Sequence, residues 1–396
     1  MAGIPRLRAY RGPAILSYGF RPFFLFGAAY AGLAILVWLP LFQGQIDLAS
    51  TFTARDWHVH EMLYGFVPAI VTGFLLTAIP NWTGRLPLQG LPLLTLFGAW
   101  VAGRLAVTLS SSIGWAAAAA IDCAFLLLVA AAAAREIAAG RNWRNLKVVA
   151  VVGVLAAGNL IFHFEAHFRG SADYAVRLGI GAVILLISLV GGRVVPSFTH
   201  NWLARQAPGR MPSPFGRFDV MVVAVSAAAL ALWIAAPLDS ITGVVLIGAG
   251  LIQLVRLLRW AGERTIRDRL VLVLHVGYAF IPLGFVLMGC AALGMVPFSA
   301  GIHAWTAGAV GTMTLAVMTR ASLGHTGREL TASAGTQAIY AAVIVGALAR
   351  ICSSVHPQWF EPLLSVAATA WAAAFLGFAV LYAIPLCSPR CRSVAA

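Results

Sequence analysis

The sequence predicts an all-α integral membrane protein with about twelve transmembrane helices. The composition is 61% hydrophobic and only 10% charged over 396 residues, and the mean hydropathy is +0.88. A soluble globular domain carries about 25% charged residues, so this chain has too few to cover a soluble surface. Apolar runs of about 20 residues, the length that crosses a bilayer, recur along the whole chain.

These runs define the predicted spans, which short polar connections separate. No connection is long enough for a separate soluble domain, so we expect residues 1–396 to form a single transmembrane helical domain. The predicted spans are 18–42, 56–79, 90–109, 113–136, 146–168, 174–198, 218–236, 239–259, 270–293, 299–320, 333–353 and 361–386.

The excess of basic residues predicts the orientation of these helices. The formal net charge is +14, which in a soluble protein suggests nucleic-acid binding. In a membrane protein, Lys and Arg gather in cytoplasmic loops, and here most of them fall on one side of a twelve-span arrangement. We therefore expect no nucleic-acid partner, membrane lipid as the surroundings, and both termini in the cytoplasm. The basic positions on that side are Arg6, Arg8, Arg11, Arg135, Arg141, Arg144, Lys147, Arg205, Arg210, Arg217, Arg259, Arg264, Arg267, Arg269, Arg390 and Arg392.

A weak internal sequence similarity suggests a repeat of four helices. The second, sixth and tenth spans end in similar short polar segments, at residues 80–85, 196–202 and 324–328. These spans are four apart, so we expect three quasi-repeated four-helix units, by analogy with other membrane folds that contain internal repeats.

Histidines are the most informative polar residues, because polar side chains in lipid are costly and usually functional. With the predicted orientation, five of them collect in the outer third of the bilayer, and His275 lies a few residues into the ninth span from the cytoplasmic side. Convergence at one depth favours metal ligation, since neutral imidazole is the commonest protein metal ligand. The alternative is that histidines at helix ends reach toward the interface. The five are His58, His60, His163, His167 and His303.

Helical geometry refines this set. His58 and His60 point about 200° apart on a continuous helix, so they are expected to serve two adjacent sites, unless the helix begins after them. His163 and His167 are four residues apart and share one face, so they could clamp one ion. Glu61 is predicted to act as a proton carrier or to support a ligand, or else to be an interface carboxylate.

Two further charges lie within spans at similar depth. Arg104 in the third span and Asp122 in the fourth are expected to form a buried ion pair. Alternatively, Arg104, Arg55 or Arg177 could hold haem propionates. Glu165, which lies between two of the histidines on the fifth span, is a second candidate catalytic carboxylate.

Several motifs resemble the NnrS family of bacterial membrane proteins, and the likeness extends over the whole chain. The most specific is Met313-Thr-Leu-Ala-Val-Met-Thr-Arg-Ala-Ser-Leu-Gly-His-Thr-Gly-Arg328. The others are Phe20-Arg-Pro-Phe-Phe24, Trp57-His-Val-His-Glu-Met62, Gly73-Phe-Leu-Leu-Thr-Ala-Ile-Pro-Asn-Trp-Thr-Gly84 and Gly191-Gly-Arg-Val-Val-Pro-Ser-Phe-Thr199.

The resemblance implies a haem- and copper-containing protein of the bacterial inner membrane, associated with nitric oxide metabolism and nitrosative stress. The haem would be b-type, because no CxxCH motif is present for covalent attachment. The family motifs carry over His58, His60, His163, His275, His303 and His325. A more distant likeness is to the catalytic subunit of haem-copper oxidases and nitric oxide reductases, whose haem histidines also come from spans two and ten. The paired histidines of their copper cage have no counterpart here.

The leading hypothesis is therefore a membrane protein that binds nitric oxide at a histidine-ligated metal and, if it is an enzyme, an oxidoreductase that reduces it. The haem set is His58, His60, His275, His303 and Arg104, and the metal set is His58, His60, His163, His167, His303 and His325. Glu61 and Glu165 would carry protons, and electrons would come from quinol or a separate redox protein. The alternatives are a twelve-span secondary transporter and a haem-based sensor or metal-delivery protein.

Overall fold

The computed structural model describes residues 10–391, and within this range the chain is helical and contains no β-strand. Twelve long helices follow one another. They are α1 (Phe20–Phe42), α2 (Ala54–Thr83), α3 (Leu91–Thr108), α4 (Trp115–Ala139), α5 (Leu146–Arg169), α6 (Asp173–Leu203), α7 (Arg217–Ala235), α8 (Ser240–Leu258), α9 (Arg269–Ala292), α10 (residues 298–326), α11 (Ala334–Val355) and α12 (Phe360–Cys387).

Eleven of these helices are long and apolar enough to cross a membrane. Each predicted span coincides with one helix, so the predicted all-α polytopic fold is confirmed. The exception in composition is α10, which forms over the predicted tenth span but is more polar than the others. Glycine and threonine, as in Gly308, Gly311, Thr312 and Thr314, replace the larger aliphatic residues that the other helices use. The location in the inner membrane and the cytoplasmic location of the termini stay predictions.

Side-chain and glycine caps set several helix ends. The Thr53 side chain accepts a hydrogen bond from the backbone nitrogen of Asp56 and so begins α2, as an N-cap residue does. The same helix ends at Gly84, which adopts a left-handed conformation with φ 67° that a glycine tolerates without steric cost. Asp268 begins α9 by accepting from the backbone nitrogens of Leu270 and Val271.

Two helices contain a π-helical segment that begins directly after a histidine. In α2 the segment Glu61–Phe66 follows His60, and in α10 the segment Ala304–Val310 follows His303. Such segments are rare and often mark functional sites, because they disturb the regular hydrogen-bond ladder. The sequence analysis did not anticipate either of them.

The described chain groups into two compact units. The first contains residues 10–179, 321–328 and 378–391, and the second contains residues 180–320 and 329–377. The first unit therefore holds helices α1–α5, and the second holds α7–α9, α11 and most of α6 and α10. The predicted single domain and the predicted four-helix repeat stay predictions.

Candidate metal centre

The first unit buries a cluster of charged and polar side chains between its helices. His60 and Glu61 of α2 are 0% exposed, Asp122 of α4 is 1%, His163 of α5 is 3% and Arg104 of α3 is 5%. We refer to these five residues as the buried charged cluster. All five are far from both ends of the described chain in sequence, and four helices contribute to their contacts.

Arg104 links the two carboxylates of this cluster. Its Nη1 donates to both carboxylate oxygens of Glu61, at 2.8 and 2.7 Å, and its Nη2 donates to Oδ1 of Asp122. The predicted ion pair between Arg104 and Asp122 is confirmed, and Glu61 completes it. One guanidinium between two buried carboxylates lowers the cost of burying their charges, because charges taken out of water need close partners.

His60 lies between the two carboxylates. Its Nδ1 is 3.0 Å from Oε1 of Glu61, and its Nε2 is 2.9 Å from Oδ1 of Asn159 and 3.2 Å from Oδ2 of Asp122. Both ring nitrogens therefore face oxygen acceptors, and an imidazolium can donate to both sides. With His60 protonated, the positive charges of His60 and Arg104 balance the two carboxylates.

Two further side chains lie close to the second carboxylate oxygen of Asp122. His163 places Nε2 3.0 Å from Oδ2 of Asp122, and the Asn159 side-chain nitrogen donates to the same oxygen at 2.8 Å. This bond fixes the orientation of the Asn159 amide, so its oxygen must point to His60. Sequence reasoning missed Asn159. The signal was available, because an amide inside an apolar span needs a polar partner.

Three of these side chains form a group that could hold a metal ion. The ligand atoms of His60, Asp122 and His163 all lie within 4.8 Å of one another, and all three residues are buried. Two imidazole nitrogens and one carboxylate oxygen are a donor set that transition metals accept. The residues present therefore fit a metal ion of that class.

Aromatic side chains enclose the cluster. Phe52 packs against both histidines, with ring centroids 5.2 Å from His60 and 5.3 Å from His163. Phe162 lies 5.0 Å from His60, and the Tyr30 hydroxyl donates to Oε2 of Glu61. Apolar walls strengthen the electrostatic interactions inside the cluster. Phe52 is half-buried and precedes α2, so it separates the two histidines from the surroundings.

The neighbouring predicted ligands point elsewhere. His58 stacks on Trp38, with ring centroids 4.2 Å apart, whereas His60 faces the cluster, as their predicted divergence on one helix requires. His167 is exposed and stacks on Trp115 at 4.3 Å. The predicted clamp of one ion by His163 and His167 is therefore not assembled: within residues 10–391, the ligand group includes the first and not the second.

Glu165, predicted as a catalytic carboxylate, binds the start of the next helix. Its Oε2 accepts from the backbone nitrogen of Ala175 at 2.7 Å, and its Oε1 accepts from Arg169 at 3.2 Å. An anion at a helix N-terminus satisfies a backbone donor and interacts well with the helix dipole. This contact gives Glu165 a structural task, and its catalytic role stays a prediction.

In the second unit, His275 is held by Thr199. Thr199 uses its hydroxyl proton on the carbonyl of Val195, at 2.9 Å, so its oxygen accepts from Nε2 of His275, at 2.8 Å. The lone pair of the neutral ring then lies on Nδ1, which abuts Gly262: a Cβ added there would lie 2.6 Å from this nitrogen. Little space is left beside Nδ1 for a cofactor in this arrangement.

His303 has the opposite tautomer. Its Nδ1 lies 2.7 Å from the carbonyl oxygen of Ser299, to which it donates, so the lone pair of the neutral ring lies on Nε2.

In the first unit, His325 packs on Tyr18, with ring centroids 5.6 Å apart, and on Phe20 at 5.4 Å. His325 is not a member of the ligand group found within residues 10–391.

The second unit also buries a polar cluster of its own, which sequence reasoning missed. Arg256 is 0% exposed and donates to Oδ1 of Asp219 at 2.9 Å and to the Tyr278 hydroxyl at 3.0 Å. The Tyr278 hydroxyl donates in turn to Gln253 at 2.9 Å. Sequence reasoning did not single out Arg256, because this residue lies near the basic end of α8. Arginines at helix ends usually reach the membrane interface rather than the interior.

Comparison with known proteins identifies the family of this chain. The model of the family described as NnrS protein matches residues 14–390, which is nearly the whole described chain. No curated protein matches the sequence. The match includes every residue of the buried charged cluster and all the motifs on which the resemblance was based. The chain therefore belongs to the NnrS family.

Proposed function

We propose that this nitric-oxide-related membrane protein binds nitric oxide at a metal ion held by His60, Asp122 and His163. Membership of the NnrS family supports the link to nitric oxide. The observation that carries the metal proposal is the buried ligand group, whose three donor residues come from three different helices. Bringing them together in an apolar interior has an energetic cost, which a bound cation would offset.

The residues around the ligand group support this role. A ligating histidine commonly donates its second ring N–H to a carboxylate, which fixes the direction of the lone pair. His60 could take this arrangement: its Nδ1 lies beside Glu61, and its Nε2, which faces the Asn159 oxygen and Asp122, would release its proton when a metal binds. Nitric oxide is a neutral diatomic and needs no charged pocket, so apolar walls such as Phe52 and Phe162 suit it.

A b-type haem, which the family resemblance implies, fits a different part of the chain. An axial ligand needs a neutral imidazole whose second nitrogen is hydrogen-bonded. The Nδ1 of His303 donates to the Ser299 carbonyl, so this tautomer would direct Nε2 to iron. His275 fits less well, because its lone pair abuts Gly262. We therefore propose His303 as the haem ligand among the described histidines of the second unit.

If the protein reduces nitric oxide, protons and electrons are consumed in equal number. His60 is hydrogen-bonded to Glu61, so a proton could move between these two side chains, while Arg104 holds the Glu61 carboxylate in place through its own hydrogen bonds. Quinol or a separate redox protein would supply the electrons. When bound, the metal would supply the site at which nitric oxide binds.

Spectroscopy of purified protein with and without nitric oxide tests both sites. We expect His303→Ala to lose the haem absorption band and to keep the second metal. We expect His163→Ala to keep haem and to lose the second metal, measured by elemental analysis after gel filtration.

The matched control is His167→Ala, on the same helix and four residues further along. It should retain both metals, because His167 stacks on Trp115 outside the cluster. Wild-type protein that holds no metal after metal- and haem-replete expression would refute the proposal. Equal metal loss in His163→Ala and His167→Ala would refute the assigned ligands.

A further inference from the structure

We infer that Arg350 forms a carboxylate-binding site beside His303, and that a propionate of the haem proposed for the second unit binds there. This inference rests on the proposed function, because it adds a second point of attachment for the same haem. It follows from the surroundings of the Arg350 side chain, the hydrogen bonds that orient it and the donors that these bonds leave unused.

Arg350 is a cation within a membrane span and has no acidic partner. It lies on α11, five residues before this helix ends at Val355, and it is partly buried. Within residues 10–391 it forms no ion pair, and no neighbouring charged group compensates its charge. A cation held away from water is costly unless a close partner offsets its charge. An anionic ligand would supply that partner.

Two arginines that the sequence analysis considered for the propionates differ from Arg350 in this respect. Arg104 donates to both carboxylates of the buried charged cluster, and Arg55 pairs with Asp173 at 2.6 Å. A propionate would have to displace these carboxylates before it could bind either guanidinium. At Arg350 no carboxylate of the described chain competes for the guanidinium.

Two serine hydroxyls hold one end of the Arg350 guanidinium. Nη1 donates to Oγ of Ser353 at 3.0 Å and to Oγ of Ser354 at 3.1 Å. Both serines use their own hydroxyl protons on the backbone carbonyl of Arg350, at 2.8 and 3.1 Å, so their oxygens accept from the guanidinium. The two serines therefore occupy Nη1 and fix its direction.

The other guanidinium donors of Arg350 remain available to a ligand. Within the described part of the chain, Nε and Nη2 donate no hydrogen bond, and neither is among the fully buried atoms that lack a partner. Both atoms can therefore be reached from outside the protein. Together they form an edge of the guanidinium on which a carboxylate accepts two parallel hydrogen bonds. This edge has the chemistry of a site for anionic oxygen.

A short chain of hydrogen bonds connects this site to His303. Oγ of Ser299 lies 2.9 Å from Oγ of Ser354 and 3.1 Å from Nδ1 of His303. Because the Ser354 proton is already used, Ser299 donates to Ser354, and its own oxygen faces the N–H of His303. The guanidinium and the proposed haem ligand are thus three hydrogen bonds apart. This proximity favours a haem propionate over the phosphate of a lipid headgroup.

The test is haem binding by the full chain, prepared without haem in nanodiscs of neutral phospholipid. The protein is titrated with haem b and, separately, with haem b dimethyl ester, in which both propionates are blocked. Absorption spectra give the affinity for each form. We expect the wild type to bind the ester about 10-fold more weakly than haem, the effect of losing a hydrogen bond between charged groups.

Two variants and one control complete the design. Arg350→Gln should weaken haem binding about 10-fold and leave ester binding unchanged, because the ester offers no carboxylate to Arg350. Arg350→Lys keeps the charge but loses the two parallel donors, so it should recover only part of the affinity. The control is Arg320→Gln, about 25 Å along α10 from His303, which should distinguish haem from its ester like the wild type. Thermal unfolding without haem separates loss of the site from loss of the fold.

The outcomes separate this inference from the proposed function. Equal binding of haem and ester by the wild type, or equal weakening of both in Arg350→Gln, would overturn the inference and leave His303 as the proposed ligand. Haem binding that is absent from the wild type or unchanged in His303→Ala would overturn both. Unchanged haem affinity in Arg350→Gln, with loss of the anionic phospholipid that co-purifies in detergent, would assign the site to a lipid phosphate and overturn the inference alone.

Discussion

Replacing Arg104 by methionine removes the guanidinium that donates hydrogen bonds to both carboxylates of the buried charged cluster. Its Nη1 is 2.8 and 2.7 Å from the two oxygens of Glu61, and Nη2 donates to Asp122. Methionine fills a similar volume and contributes no charge. The perturbation is therefore electrostatic and leaves the packing of α3 largely in place.

The expected loss of stability follows from burial. Arg104 is 6% exposed at its side chain, and its two partners are 0% and 1% exposed. Removing one partner of a buried ion pair costs about 3–5 kcal/mol, because the remaining charges stay out of water. Protonation of the carboxylates would limit this loss, so we expect a value near 3 kcal/mol.

Reversible unfolding in mixed detergent measures this free energy. The matched control is Arg210→Met, which breaks the exposed pair of Arg210 and Glu263, 54% and 58% exposed. Exposed pairs contribute about 0–1 kcal/mol. Arg104→Met combined with Asp122→Asn should recover part of the loss, since coupling energies between contacting residues are about 0.5–3 kcal/mol. A loss for Arg104→Met below about 1 kcal/mol, or equal to that of Arg210→Met, would refute the electrostatic reasoning.

Phe52→Ala should speed the access of a chelator to the metal on the order of tenfold, which corresponds to a barrier lower by about 1.4 kcal/mol. An unchanged rate of metal removal in a stopped-flow experiment would show that Phe52 does not cover the site. Gly65→Ala should cost about 1–3 kcal/mol, because the new Cβ would overlap Arg104, whereas Gly98→Ala meets no atom within 4 Å and should be neutral or stabilising. Asp219→Ala should cost about 3–5 kcal/mol by leaving its buried arginine partner unpaired, and detergent unfolding that shows less than 1 kcal/mol would contradict this.

The positions of the helices were predictable from the sequence, because a bilayer imposes both a minimum length and an apolar composition on each span. α10 shows where this rule weakens: its helix forms over the predicted range, although its many glycines and threonines make it less apolar than the other helices. Helix ends differ by a few residues from the predicted limits, since caps such as Thr53 act outside the apolar run.

The site was predictable only in part. The pairing of Arg104 with Asp122 was correct, because two opposite charges at one depth in a membrane need each other. The role of Asn159 was missed, and His167 was grouped with His163 because residues four apart share a face. One helical turn is enough to move a side chain along the neighbouring helix from Asp122 to Trp115. Which helices become neighbours depends on packing over the whole chain, and the pattern of each span taken alone does not reveal it.

The π-helical segment after His60 gives this helix one place where its length can change with little rotation. A π turn accommodates more residues than an α turn, whereas each residue of a regular α-helix adds about 100° of rotation. Deleting one residue from Glu61–Phe66 would let a regular α-helix close there, and the turns on either side would keep nearly the same orientation. The same deletion in a regular turn of α2 would rotate His60 by about 100° relative to the rest of the helix and should harm the protein more. The same reasoning applies to Ala304–Val310.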